Sequence, residues 1–341
     1  MSKTRIFRKY DLGDGEKQYL SVSYSQLEVF LGCPKKWFKY YLRGEGYSTD
    51  SESTELGSTV HSSIEEYCLK LSDGYEFTVA EAQELVKSKL DERTIKFEEE
   101  EDIEIVEQHL EMAEQLVDGY YGLGALLKKC DIVAQELEFR LVFDLPFEVL
   151  YKGDIYKQVV MVGFIDLVLK DKETGEFIIV DHKTGRKLFE EDKLWNNYQF
   201  PIYQLAILNM YGKLPSKCYY HFTRYNKLQE VHTLVLNDDD MEVVKYFIRG
   251  KNKGKPKYVI KSVNKITEEL TDIFRLKYQP TEDSYAANGT ALCSWCIFSP
   301  RYGEVPNCDD AYDYERKDIP PRTIEMNATQ YNKTIRGEIN G

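Results

Sequence analysis

Two apolar runs, each broken by a carboxylate, constrain this chain more than any other feature. The first is Val159-Val-Met-Val-Gly-Phe-Ile-Asp166-Leu-Val-Leu, the second Phe177-Ile-Ile-Val-Asp181-His182-Lys183-Thr-Gly185. Both are short, rich in β-branched residues and bounded by turn signals, which predicts strands. Glu173-Thr174-Gly175 supplies a turn that pairs them as a hairpin. Alternation along a strand puts Asp181 and Lys183 on one face, and the hairpin brings Asp166 beside Asp181. Two carboxylates on buried strands are costly unless a cation neutralises them. A hard divalent ion held by oxygens, with an ammonium next to it, suits phosphodiester hydrolysis.

Three further segments offer polar groups to the same place. Leu56-Gly57-Ser-Thr-Val-His61 opens an amphipathic helix, with Thr54 or Ser58 near its start as a cap. Tyr198-Gln199-Phe-Pro-Ile-Tyr203-Gln204 lies in another helix, where Gln199 and Tyr203 are four apart and share a face. Glu136, in the strand-like run Ile132-Val-Ala-Gln-Glu136-Leu-Glu138-Phe, is a candidate third acid.

Taken in order, Gly-x-x-x-His (Gly57 to His61), Glu136, Gly-x-x-Asp (Gly163 to Asp166), Asp-x-Lys-Thr-Gly (Asp181 to Gly185) and Gln-x-x-x-Tyr (Gln199 to Tyr203) resemble the RecB-like branch of the PD-(D/E)XK nucleases. The resemblance runs from about Ser23 to Cys308; between the motifs it is a pattern of helices and strands. It implies an α/β fold with a restriction-endonuclease-like core, a mixed central sheet flanked by helices. It further implies that His61, Asp166, Asp181 and the backbone carbonyl of His182 bind Mg²⁺ or Mn²⁺. An imidazole among the ligands favours Mn²⁺. Lys183 would stand beside the attacking water, and Glu136 would hold a further water or a second metal. Gln199 and Tyr203 would position the strand or Lys183.

Cys33 sits in Ser25-Gln-Leu-Glu-Val-Phe-Leu-Gly-Cys33-Pro-Lys-Lys-Trp-Phe-Lys-Tyr-Tyr; Cys293-Ser-Trp-Cys296 and Cys308 lie near the other end. By itself the C-x-x-C is open to zinc, a redox pair or chance. One cysteine early and three late resemble the iron–sulfur subfamily, which includes CRISPR-associated adaptation exonucleases and AddB-type nuclease domains. That resemblance implies a [4Fe–4S] cluster on Cys33, Cys293, Cys296 and Cys308, joining the N- and C-terminal segments, with structural zinc as the alternative. The gap from Cys296 to Cys308 is longer than the family usually has. Cys68, Cys130 and Cys218 fall in helix- or strand-like runs and read as ordinary buried thiols.

Seven cysteines without a paired pattern, no signal peptide and no long apolar run imply a reducing, membrane-free setting, the cytoplasm of a bacterial or phage-infected cell. With 30% charged residues and 13% aromatics the chain is globular rather than disordered. Its net charge of −13 argues against indiscriminate nucleic-acid binding by the whole surface. The acid is local, in Glu98 to Asp102 and Asp238 to Asp240. Against it stands Arg249-Gly-Lys251-Asn-Lys253-Gly-Lys255-Pro-Lys257-Tyr-Val-Ile-Lys261, free of acid. That stretch reads equally as a phosphate-tracking edge or as a solvated loop. Lys35, Lys36 and Lys39, interleaved with Trp37, Phe38, Tyr40 and Tyr41, form a second basic segment whose aromatics could equally be core.

Residues 1–22 read as a loose or strand-like leader, 23–308 as one nuclease domain with a helical insertion at 72–130, and 309–341 as a polar tail. Helical patterns cover Ser25–Leu42, Glu55–Leu71, Val79–Phe97, Ile103–Leu127, 199–210, 239–249 and 261–275; strands fall at 131–145, 159–170 and 176–182. A hairpin from Cys218 to Leu236 turns at Tyr225-Asn226-Lys227. The function implied is a metal-dependent DNA exonuclease acting on single strands or duplex ends, in recombination, repair or CRISPR or phage DNA processing. With no G-x-x-x-x-G-K-[ST] motif, opened DNA must come from a helicase, recombination or CRISPR-integration partner, or the enzyme must find free ends itself. The rivals are a nuclease-like DNA-end binding subunit and a site-specific endonuclease.

Overall fold

The structure is a computed structural model that describes residues 7–13, 15–45, 52–91, 100–151, 153–232, 242–278, 285–288, 293, 296–298 and 308. The tail 309–341 and the acidic run 238–240 lie outside the described residues. The chain divides into two compact units, Met1–Thr49, Val142–Met161 and Leu270–Gly341 in one, Asp50–Leu141 and Val162–Glu269 in the other.

In the first unit, β1 (Phe7–Asp11) pairs antiparallel with β2 (Glu16–Ser23), Phe7 opposite Leu20 and Asp11 opposite Glu16. The expected leader is thus a hairpin, its turn held by Asp11 Oδ1, which accepts from the N–H of Gly13 at 2.8 Å and of Gly15 at 3.1 Å. Ser23 then caps α1 (Tyr24–Gly32) by accepting from Gln26 N–H at 3.3 Å. The single helix expected over Ser25–Leu42 is broken at Cys33, which is extended (φ −160°) before Pro34 opens α2 (Pro34–Trp37). Proline disfavours helical backbone in the residue before it, so the break is local chemistry. A π-helical turn, Phe38–Leu42, follows. Trp37, fully buried, packs edge-on to Phe30 and Tyr278 and tilted against Tyr285.

The second unit holds α3 (Glu52–Ser72) and the described part of the insertion, α4 (Val79–Asp91), α5 (Glu100–Asp118) and α6 (Gly122–Lys129). Two long strands, β3 (Cys130–Tyr151) and β4 (Asp154–Asp171), belong in part to each unit. Hydrogen bonding runs β3-β4-β5-β6-β7, with β5 at Phe177–Lys183, β6 at Lys217–Phe222 and β7 at Lys227–Val231. β4/β5 and β6/β7 are antiparallel and β5/β6 parallel, so the sheet is mixed. The parallel step is bridged by α7 (Glu191–Trp195) and α8 (Gln199–Tyr211). Leu167, Leu169, Ile178 and Val180 pack on one face against α3–α6. On the other face Phe200 and Tyr203 of α8 meet Tyr220 and Phe139 edge-on. This is the mixed α/β arrangement of a restriction-endonuclease-like core.

Where a helix was expected over 239–249, the described residues form β8 (Glu242–Tyr246), paired antiparallel with β9 (Pro256–Ile260). Val243, Val244 and Tyr246 favour a pleated surface, and the Gly250–Gly254 turn provides the partner strand. The last helix, α9 (Val263–Lys277), lies close to its expected span. No helix among the described residues is long and apolar enough to cross a membrane.

Candidate active site

The two faces of β5 do different work. Ile178 and Val180 point into the helical core and His182 follows them inward; Asp181 and Lys183 face the side covered by α8. The β4/β5 register pairs Leu167 with Val180, so the next step sets Asp166 against Asp181. The His182 N–H donates to Asp166 Oδ2 at 2.6 Å and fixes that carboxylate across the strands. Gly163 is required three residues earlier because a Cβ there would lie 2.7 Å from Phe139 Cζ.

Asp181 is 2% exposed, a burial that a carboxylate tolerates only with partners. Its Oδ1 accepts from Gln199 Nε2 at 2.7 Å and from Tyr203 OH at 3.5 Å. Gln199 also donates to the Tyr203 hydroxyl at 3.1 Å, so the i,i+4 pair on α8 acts as one clamp. Asp181 Oδ2 is held by Lys183 Nζ at 2.6 Å in an ion pair.

His61, on α3, stands over the acids. Its Nε2 lies 3.1 Å from the His182 carbonyl and must donate to it. Nδ1 then turns toward Asp166 Oδ2 at 3.5 Å and Glu136 Oε1 at 3.8 Å. A lone pair aimed at two carboxylates is favourable only with a proton or a cation between them. Burial pulls the His61 pKa down, but Glu136 and the charges of Asp166 and Asp181 outweigh it, and the pKa is raised. Burial and the neighbouring Asp181 push the Asp166 carboxyl up to about 7. One ligand atom from each of His61, Glu136 and Asp166 lies within 4.8 Å of the others. An excess of negative charge and an imidazole whose far nitrogen bonds a backbone carbonyl both fit a divalent cation. Glu136 carries strain of its own, with φ +43° in mid-strand.

A family model, the PD-(D/E)XK nuclease superfamily, matches residues 21–301. The chain belongs to that superfamily. No match was found among curated proteins. Membership implies a metal-dependent nuclease, with DNA as the substrate.

In this PD-(D/E)XK nuclease the motif residues expected from the sequence converge, but in two groups. His61, Glu136 and Asp166 form the tight donor set; Asp181 stands beside it, held by Lys183, Gln199 and Tyr203. The His182 carbonyl is engaged by His61. Sequence reasoning missed a buried polar chain on the opposite face of β5. His182 Nδ1 meets His221 Nδ1 at 3.0 Å, and His221 Nε2 meets Asn226 Oδ1 at 3.0 Å. Asn226 Oδ1 also accepts from Leu123 N–H at 2.9 Å, which fixes it as acceptor. His221 therefore donates from Nε2 and accepts at Nδ1, and His182 donates from Nδ1. Burial first, then nearby positive groups, hold His182 well below 6.5; burial holds His221 at about 4, so both are neutral. The only sequence signal was histidines on apolar strands, which no spacing rule singles out.

In the first unit, Cys33, Cys293, Cys296 and Cys308 line one cavity together with Lys35, Lys36 and Lys39. Cys308 N–H donates to Phe298 O at 2.9 Å, and buried Phe298 packs against Cys296 and Cys308. Cys68, Cys130 and Cys218 are buried elsewhere, as expected of ordinary thiols.

Proposed function

We propose that the chain is a divalent-metal-dependent deoxyribonuclease that degrades DNA from single-stranded or duplex ends. The observation that carries the reading is the Asp181–Lys183 pair at 2.6 Å beside the His61, Glu136 and Asp166 donor set. His61, Glu136 and Asp166 would hold Mg²⁺ or Mn²⁺, with Asp181 and the His182 carbonyl alongside. The cation supplies charge neutralisation at the scissile phosphate and makes the attacking water more acidic. Lys183, 29% exposed on its side chain, faces outward enough to reach a phosphate oxygen and offset charge as the bond order changes. Gln199 and Tyr203 keep Asp181 in one orientation and so hold Lys183 in place.

The preference for ends rests on the iron–sulfur resemblance, whose members commonly attack ends. The four cysteines around one cavity support it. Recombination, repair or CRISPR or phage DNA processing, with a helicase or integration partner, would supply such ends.

The test compares linear with covalently closed single-stranded DNA of one sequence, with Mn²⁺, for the wild type and Lys183→Ala. Shortening of the linear DNA, intact circles and a loss of at least 100-fold in Lys183→Ala are expected. Cut circles would replace the exonuclease by an endonuclease. An inert wild type would leave a DNA-end binding subunit, and unimpaired cutting by Lys183→Ala would remove the assigned chemistry.

A further inference from the structure

Outside the acid cluster, the second unit carries a pocket of about 160 Å³ at the start of α8, lined by Trp195, Asn196, Tyr198, Pro201, His232 and Lys261, among others. That is space for about five waters at ~30 Å³ each, or for one planar ring system. Trp195 stacks with His232, ring centroids 3.7 Å apart, and with Tyr258, 5.3 Å apart and 7° from parallel. The pocket wall is also the entrance to the active-site helix. Tyr198 and Pro201 bracket Gln199 and Phe200, and Gln199 reaches Asp181. Asn197 Oδ1 caps the same turn by accepting from Phe200 N–H at 3.2 Å.

The β8–β9 hairpin is bolted beside this pocket. Tyr258 OH donates to Asp192 Oδ1 at 2.5 Å, and Glu191 Oε2 lies 3.1 Å from the same hydroxyl. Lys257 pairs with Asp192 at 3.2 Å and Lys245 with Glu191 at 3.5 Å, and both ammonium groups lie over the Tyr258 ring. Glu191 and Asp192 are both engaged in these pairs. Beyond them the tip is purely cationic. Arg249, Lys251, Lys253 and Lys255 are exposed, and among the described residues their side chains have no partner. Tyr246 and Ile248, 52% and 77% exposed, stand next to them.

Four cations with no side-chain partner among the described residues, on a chain of net charge −13, suit an anionic partner. An exposed aromatic, Tyr246, beside these cations suits a polymer that offers phosphates and bare bases at once, which a duplex does not. We infer that the β8–β9 hairpin and the Trp195 pocket form a single-stranded DNA subsite, with the tip on the backbone and the pocket taking a base next to the active-site helix. This rests on the nuclease reading of the Asp181 site and adds where the strand lies.

The experiment measures binding of a fluorescein-labelled oligothymidylate to the full chain in EDTA, where no cutting occurs, over a series of salt concentrations. The variants are Arg249→Ser, Lys251→Ser, Lys253→Ser and Lys255→Ser combined, and Tyr246→Ala; all sites are exposed, so folding is spared. The tip variant is expected to bind at least tenfold more weakly. Its slope of log affinity against log salt should be shallower by up to about 3, at ~0.7 per cation removed. Tyr246→Ala should lose severalfold without a change of slope. Unchanged affinity and slope in the tip variant overturn the inference, and so does equal or tighter tip-dependent binding of a duplex. Binding that depends on the tip in a protein that never cuts would leave the subsite standing and sink the nuclease. Normal cutting with a tip variant indistinguishable from wild type would do the reverse.

Discussion

Asp166 is the residue whose chemistry most depends on what stands beside it. With its carboxyl raised from 3.8 to about 7 by burial and by Asp181, the folded metal-free protein holds a proton there that the unfolded chain releases. Between those values the native state binds more protons at Asp166, so that residue's contribution to the stability of the metal-free protein falls as pH rises through that window and is level above it. Metal binding must expel that proton and the one that the raised pKa of His61 retains, so Mn²⁺ affinity is expected to climb as pH rises through about 7. Calorimetric titration with Mn²⁺ across that range tests this; a flat affinity would mean Asp166 is already ionised. Glu136 makes the complementary case. Its φ of +43° is a conformation that glycine adopts freely, so Glu136→Gly removes both strain and one negative charge. The metal-free variant should gain about 1 kcal/mol by chemical denaturation while binding Mn²⁺ more weakly. A variant that is both less stable and unaltered in metal binding would show that Glu136 is held for packing alone.

At the scale of elements, the β6–β7 hairpin is tied to the active-site strand by a side chain rather than by the sheet alone. Asn226, fully buried at the turn with φ +42°, accepts from His221 on β6 and from Leu123 at the start of α6. Gly122 makes room for it, since a Cβ at that position would sit 2.0 Å from Asn226 O. Asn226→Ala strands two buried donors at about 1–3 kcal/mol each and adds strain at a positive φ. A loss of roughly 3–5 kcal/mol in urea unfolding is expected, and a loss under 1 kcal/mol would mean water replaces the amide. None of this chain was legible in the sequence beyond the turn at Tyr225-Asn226-Lys227, because buried hydrogen bonds between distant strands leave no period. Asp166, Asp181 and Lys183 were legible because a strand's alternation and a hairpin's register are local rules. The helix expected over 239–249 failed for the opposite reason: a short apolar run does not distinguish helix from strand until its partner is known.

For the whole molecule, the sequence placed four cysteines in one set, and the first unit gathers them from its two ends around a single cavity. If the proposed cluster forms there, it cross-links positions separated by most of the chain. Closing so long a loop restricts the unfolded ensemble by an amount comparable with a long-range disulfide, on the order of 5 kcal/mol. Cys308, the ligand at the unusual spacing, is the informative one to remove. Anaerobically purified wild type is expected to absorb near about 400 nm, and Cys308→Ser to lose most of that absorbance together with much of the stability the cross-link supplies. Cys218→Ala, buried on β6 away from the cavity, should keep the absorbance. Mn²⁺ binding should survive in Cys308→Ser, because His61, Glu136 and Asp166 all belong to the second unit. Full absorbance in Cys308→Ser would remove that residue from the ligand set. A colourless wild type containing one zinc per chain would replace the cluster by a structural metal and leave the acid site as it stands.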